Sequence, residues 1–190
     1  MDDPTVNTDE EPQIPRPRYL TAASLSTALL GLFHAHSAEN TLQLVNEAAL
    51  STPGSPAEAM RVALWRAAQA HRAVVIGHES ATLVLAVTLV LGSVRVLLGV
   101  KGAGWLWRQA LIGNTLLGVG TVFVDRALYT ARTAAMRQVI QSAGSAVQLP
   151  PDFPTDAVFQ LYGTLSWFVV FVMLASLFLS TREEARAALD

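Results

Sequence analysis

The stretch at residues 81–100, ATLVLAVTLVLGSVRVLLGV, decides the fold of this 190-residue chain. It is twenty residues long, and Arg95 carries its only formal charge. An α-helix rises about 1.5 Å per residue, so this length covers the roughly 30 Å hydrocarbon core of a bilayer. A helix that is apolar on every side is typical of a membrane span rather than of a surface helix. We therefore predict a transmembrane helix here.

The composition of the whole chain agrees with a membrane protein. Hydrophobic residues make up 52% of the sequence and charged residues only 15%, whereas charged residues are about a quarter of a typical soluble protein. The net charge of −2 and the lack of a basic patch argue against a nucleic-acid partner. The absence of cysteine excludes disulfides, thiolate metal sites and cysteine nucleophiles.

Three further uncharged stretches are long enough to join the first one in a membrane. We predict an all-α, polytopic integral membrane protein: a four-transmembrane-helix antiparallel bundle with helices extended beyond the membrane. The spans are expected at about 19–38, 79–100, 105–125 and 157–180. Residues 1–18 are acidic and proline-rich and predict a disordered tail, and residues 181–190 predict a short polar helical tail.

Turn and packing signals divide the bundle further. The segment STPGSP at 51–56 predicts a turn, and the pattern after it predicts one long helix from about 56 to 100. Small residues at Ala23, Thr27 and Gly31 recur every four positions, which favours packing of the first span against protein. Asn114 is interpreted as a hydrogen-bond donor between helices.

Aromatic and basic residues predict how the bundle sits in the bilayer. The last span is the most aromatic and is expected to face lipid. Basic residues flanking the termini and the short connection near 101–108 favour both termini in the cytoplasm, in a bacterial inner (cell) membrane. Tyr19, Trp105 and Trp107 would then mark the inner interface. The start of the chain lacks a basic, cleavable signal, so we expect the first span to direct its own insertion.

All four histidines lie near the outer end of the first predicted hairpin. Folding about the 51–56 turn would bring residues whose numbers sum to about 107 to one level, so His36 would face His71. This pair is a candidate metal or haem site, because neutral imidazole is a common ligand. His34 would lie close by, whereas His78 would lie too far along the helix from His71 to share one metal. Packing or polar-interface roles are the other interpretation of all four histidines.

Three charged residues near the span boundaries are also candidates. Glu79 and Asp125, with His34 and His78, could form a polar or ion cluster at the outer mouth, or could simply cap the polar edge. Arg95 lies five residues inside the end of its span, where its side chain could reach a lipid headgroup.

The sequence carries no catalytic motif, so we expect no enzyme, no catalytic residue and no cofactor. The first hypothesis is a non-catalytic subunit or scaffold of a membrane assembly, with the lipid bilayer and other membrane subunits or a second copy as partners. The alternative is a small transporter, channel, or ligand- or metal-sensing membrane protein that uses the polar cluster at the outer mouth.

Overall fold

A computed structural model describes residues 17–47, 56–121 and 155–189 of the chain. Within those ranges every regular element is a helix, which confirms the predicted all-helical fold. The helices are α1 (Arg18–Asn46), α2 (Pro56–Ala70), α3 (Arg72–Leu98), α4 (residues 103–121), α5 (Thr155–Ser180) and α6 (Glu183–Leu189). Residues 1–16, the centre of the predicted turn at 51–56 and the candidate Asp125 lie outside the described residues.

The stretch at 81–100 forms most of α3, as the sequence predicts. Among the described helices, α3 is the one whose length and composition would let it cross a membrane. The described side chains of α5 include a shorter apolar segment, Trp167–Ser180. α1 is longer than a span, but its serine, threonine and histidine residues lower its hydropathy. One candidate span does not establish four, so the four-span bundle stays a prediction.

The long helix predicted from 56 to 100 is interrupted at His71, and that prediction was wrong in this respect. His71 has φ −125° and ψ 29°, outside the helical region, and it separates α2 from α3. Gln69 Nε2 donates to the Val45 oxygen at 2.7 Å, and Arg72 donates to Asn46 Oδ1 at 3.2 Å. The break therefore lets residues on both sides of it contact the end of α1.

α1 lies antiparallel against α3 through the small-residue face predicted from the sequence. Ala23, Thr27 and Gly31 are all buried. A Cβ on Gly31 would lie 2.8 Å from Val90 Cγ2 and 3.0 Å from the Ala86 oxygen. The two helices are therefore closer here than larger side chains would permit.

α3 and α4 meet at three levels that are seven residues apart on each helix. Gly92 packs on the backbone of Trp107, Leu85 packs on Gly113 and accepts a bond from Asn114, and His78 bonds to Thr121. The paired residue numbers sum to 198 or 199 at every level, so the helices run antiparallel without slipping in register. A seven-residue repeat is the spacing that keeps one seam of a helix facing its partner.

The four long helices close into a ring. α5 contacts α1, and Val170 on α5 lies 3.0 Å from the position of a Cβ on Gly118 of α4. A core cluster joins the ends of the helices, with Leu20 of α1, Val96 of α3, Trp107 of α4 and Met173 of α5. This end of the bundle holds the start of α1 and the end of α5.

α6 packs beneath the bundle, although the sequence predicts only a polar tail. Ala185 and Leu189 are buried in the core cluster. Leu189 Cβ lies 2.6 Å from the position that a Cβ on Gly104 would occupy. The absence of a side chain at Gly104 therefore makes room for α6.

Replacing Gly92 by alanine should destabilise the fold, because the new Cβ would lie 2.9 Å from Trp107 Cα. A backbone atom cannot rotate away as a side chain can. We expect the overpacking cost of about 1–3 kcal/mol to exceed the roughly 1 kcal/mol that alanine gains in helix propensity. Thermal unfolding in mild detergent, followed by circular dichroism, measures the change.

Gly77→Ala is the matched control on the same helix, because no atom lies within 4 Å of the position that its new methyl group would occupy. It should leave stability unchanged or raise it by up to about 1 kcal/mol. Equal effects of the two substitutions would contradict the close approach of α3 and α4.

Candidate functional site: polar contacts between the long helices

Three helices share one buried polar contact around Thr27. Thr27 Oγ1 on α1 lies 2.9 Å from Ser93 Oγ on α3, and Trp107 Nε1 on α4 donates to it at 3.2 Å. All three residues are fully buried. A short polar chain thus connects α1, α3 and α4 in the interior, and we name these residues the Thr27 junction.

The Thr27 junction satisfies the hydrogen-bonding capacity of the central hydroxyl. Thr27 donates its one proton to the main-chain oxygens of Ala23 and Ser24, at 2.9 and 3.1 Å. Its oxygen then accepts from the Trp107 indole, which can only donate. Ser93 is therefore the donor in the Ser93–Thr27 contact. A satisfied hydroxyl avoids the free-energy cost of a buried polar group without a partner.

Asn114 forms the interhelical contact that the sequence predicts. Its Nδ2 donates to the Leu85 oxygen of α3 at 2.9 Å and to the Ala110 oxygen of α4 at 2.8 Å. One amide thus ties a main-chain carbonyl of α3 to α4. The contact needs no second polar side chain, which explains why no partner for Asn114 stands out in the sequence.

His78 and Glu79 lie near the end of α3 that adjoins α2. His78 Nε2 lies 2.8 Å from Thr121 Oγ1 on α4, and His78 Nδ1 lies 3.6 Å from Glu79 Oε1. Both side chains are largely buried. The structure therefore brings His78 and Glu79 together and adds Thr121, which sequence reasoning did not single out. His34, on α1, is half-buried, with its ring next to Phe33.

The register of α1 and α3 differs from the one predicted for the histidines. The Thr27–Ser93 and Gly31–Val90 contacts give residue sums of 120 and 121, rather than 107. The discrepancy arises because α1 ends at Asn46 and α2 packs across that end, so the turn does not fold two aligned helices. His36 is thus level with about residue 84 instead of His71.

In that register His36 and His71 do not face each other, so the geometric argument for a metal site at this pair no longer holds. His36 Nε2 lies 3.1 Å from Asn40 Nδ2 on its own helix, and His71 is exposed at the break between α2 and α3. Among the residues that the structure describes, no three His, Asp or Glu side chains are grouped so that they could hold a metal ion.

The burial of Trp107 corrects one prediction, whereas the predicted lipid contact of Arg95 stays a prediction. Trp107 was expected at the membrane interface, but it is fully buried, because Gly92 leaves room for its backbone against α3. Trp105, two residues earlier, is exposed. Arg95 is exposed in the last turn of α3, where a side chain can reach beyond the helix end.

Comparison of the chain with protein-family models, curated proteins and solved structures finds no match.

Replacing Thr27 by valine should destabilise the bundle, because the Trp107 indole N–H would stay buried without an acceptor. Valine keeps the shape of threonine, so the change isolates the hydroxyl. We expect a loss of about 1–3 kcal/mol in the free energy of unfolding. Denaturant titration in mild detergent measures it.

Thr88→Val is the matched control, because the Thr88 hydroxyl bonds to the Val84 oxygen of its own helix. It should change stability by less than about 0.5 kcal/mol. If Thr27→Val were equally harmless, the Thr27 junction would not hold the three helices together.

Proposed function

We propose that the chain is an integral membrane protein and that α1, α3, α4 and α5 cross the bilayer as an antiparallel bundle. Its proposed role is that of a non-catalytic subunit or scaffold of a membrane assembly, in a bacterial inner membrane with both termini in the cytoplasm. The observation that carries the proposal is the distribution of polar and apolar side chains between the interior and the surface of the bundle.

Large apolar side chains point outward on all four long helices. Phe33 on α1, Leu91 on α3, Leu116 on α4 and Phe171 on α5 are each more than half exposed. Several others share this exposure, among them Leu25, Leu29, Leu32, Val84, Leu98, Trp105, Trp167, Phe168 and Phe178. Exposed apolar surface on this scale is typical of a lipid or protein interface, because water would disfavour it.

The interior contains apolar side chains such as Leu89 and Leu111, and polar side chains lie among them. Ser24, Thr27, Ser93, Asn114 and Ser176 are buried. Lipid tails are as apolar as leucine, so a membrane bundle gains little by burying leucine and more by close packing and interhelical hydrogen bonds. An apolar outer surface, together with hydrogen-bonded polar groups in the interior, is thus the arrangement expected for helices in lipid.

The scaffold role is supported by how the bundle is built. Glycines at Gly31, Gly92, Gly113 and Gly118 set close helix contacts, and polar bonds fix their register. Such packing favours one rigid arrangement. The aromatic outer face of α5 and the extra helix α2 then remain as surfaces for other subunits or a second copy.

The test of the scaffold role is isolation of the tagged chain from its native membrane in mild detergent. We expect a stoichiometric partner, identified by mass spectrometry, or a defined homo-oligomer by light scattering. The same isolation from cells that express the untagged chain identifies proteins that bind the affinity resin nonspecifically. A purified monomer that catalyses transport in proteoliposomes would contradict the scaffold role.

The alternative function, a small transporter or ligand-sensing protein, is favoured by one observation. His78, Glu79 and Thr121 place ionisable and hydroxyl groups together between α3 and α4. Ionisable groups in or near a span are often functional.

If the cluster of His78, Glu79 and Thr121 serves transport, His78→Gln should abolish ion or proton flux in proteoliposomes. His36→Gln should not abolish the flux, because the His36 ring contacts only Asn40 of its own helix among the hydrogen bonds of the described residues. Absence of flux in the parent chain would refute this alternative.

A further inference from the structure

The hydroxyl of Thr121 determines which nitrogen of His78 carries a hydrogen. Thr121 Oγ1 donates to the Leu117 oxygen of its own helix, α4, at 2.8 Å. The same oxygen atom lies 2.8 Å from His78 Nε2 on α3. A threonine hydroxyl has one hydrogen, so Thr121 accepts in the second contact and His78 donates. His78 therefore carries a hydrogen on Nε2.

The other ring nitrogen of His78 faces a carboxylate. His78 Nδ1 lies 3.6 Å from Glu79 Oε1, which is the separation of an ion pair. In a neutral imidazole whose hydrogen is on Nε2, Nδ1 presents a lone pair. A lone pair opposite a carboxylate oxygen is repulsive, because both atoms are acceptors. The contacts on the two sides of the ring are attractive together only if His78 and Glu79 share one further proton.

The burial of the pair favours the same protonation state. The side chains of His78 and Glu79 are only 19% and 13% exposed. A charge in such surroundings is costly unless an opposite charge lies beside it. An imidazolium next to the Glu79 carboxylate makes the pair neutral overall, whereas a neutral imidazole leaves the pair with a charge of −1. The further proton therefore lowers the cost of burying these two groups.

Other titratable groups lie near this pair and belong in its test. On α1, His34 is close enough to Glu79 for their charges to interact. The described side chains of α5, Trp167–Ser180, include no ionisable group. Asp125 and Arg126 follow Thr121 by four and five residues in the sequence and lie outside the described residues. The experiment therefore measures His34 as well and includes variants of Asp125 and Arg126.

We propose that His78 and Glu79 form a proton-binding site and that Thr121 orients it. The ligand is one proton, which His78 Nδ1 takes from water and holds beside the Glu79 carboxylate. When the proton returns to water, a neutral His78 can keep its bond to Thr121 or place its hydrogen toward Glu79, but not both. The contact between α3 and α4 at this level thus depends on the proton. The inference assigns a ligand to the cluster named for the alternative function and requires neither transport nor the scaffold role.

The test is nitrogen NMR of the full chain in mild detergent at pH 7.5, with histidine labelled by 15N. The chain has four histidines, and His34→Gln, His36→Gln and His71→Gln identify the His78 signals by elimination. An unperturbed imidazole is charged in about one tenth of the molecules at this pH. We expect both nitrogens of His78 to be protonated in more than about half of them, roughly fivefold more than in the exposed His71, because an adjacent carboxylate favours the charged form.

Variants assign the parts of the site. Glu79→Gln should make His78 neutral with its hydrogen on Nε2, because the amide has no charge and can donate to Nδ1. In that background Thr121→Val should remove the preference for Nε2, whereas Thr121→Ser, which keeps a hydroxyl, should retain it. Asp125→Asn with Arg126→Gln should leave His78 charged, because the proposal assigns the opposite charge to Glu79. Circular dichroism establishes that each variant is folded.

The measurement on the parent chain needs no variant of the site itself. A neutral His78 at pH 7.5 would overturn the inference. A charge on His78 that survives Glu79→Gln would also overturn it, because a different group would then stabilise the proton. The functions proposed above fail in other measurements, namely flux in proteoliposomes and isolation of a stoichiometric partner, so their failure is distinguishable from that of the proton site.

Discussion

The fold depends on the close approach of α3 and α4 where Gly92 lies against the backbone of Trp107. Two helices can come this near only where one has no side chain. The approach buries the Trp107 indole, whose N–H then needs an acceptor, and Thr27 on α1 supplies it. The close contact between α3 and α4 therefore determines the Trp107–Thr27 hydrogen bond, which holds α1 against them.

The same arrangement accounts for the character of the surface. The close helix contacts at glycine leave room inside for only some of the large apolar side chains, such as Leu89 and Trp107, and many others on α1, α3, α4 and α5 are exposed on the outside. In water that surface would favour aggregation, whereas in lipid it is the ordinary exterior of a helix. Interior packing and the proposed membrane environment are thus two consequences of one pattern of residues.

The sequence predicted the features that depend on local pattern. Hydrophobic pattern and spacing along one helix predicted the helical structure, the apolar character of α3 and the buried face at Ala23, Thr27 and Gly31. The Asn114 contact followed from the position of one amide in an apolar span. The break at His71 and the docking of α6 were missed, because each depends on a contact with a helix distant in the chain. Long-range contacts of that kind leave no periodic signal.

The candidate site also depends on contacts between distant parts of the chain, which the sequence pattern could not predict. The prediction that His36 faces His71 assumed that two helices fold back on each other directly about 51–56. Because α2 packs across the end of α1, the residue numbers of facing positions on α1 and α3 sum to about 120 instead of 107, a difference of about thirteen. Thr121 beside His78 and Ser93 beside Thr27 were not singled out, because serine and threonine are common in apolar helices. Only their partners on a facing helix give these hydroxyls a role.

The most direct measurement of the central claim is the sidedness of α3 in a membrane. The chain has no cysteine, so single substitutions Glu58→Cys on α2 and Lys101→Cys after α3 can each be labelled without background. With a membrane-impermeant maleimide on intact cells and on permeabilised cells, we expect one of the two positions to be labelled in intact cells and the other only after permeabilisation. Labelling of both positions from the same side would show that α3 does not cross the bilayer and would contradict the account.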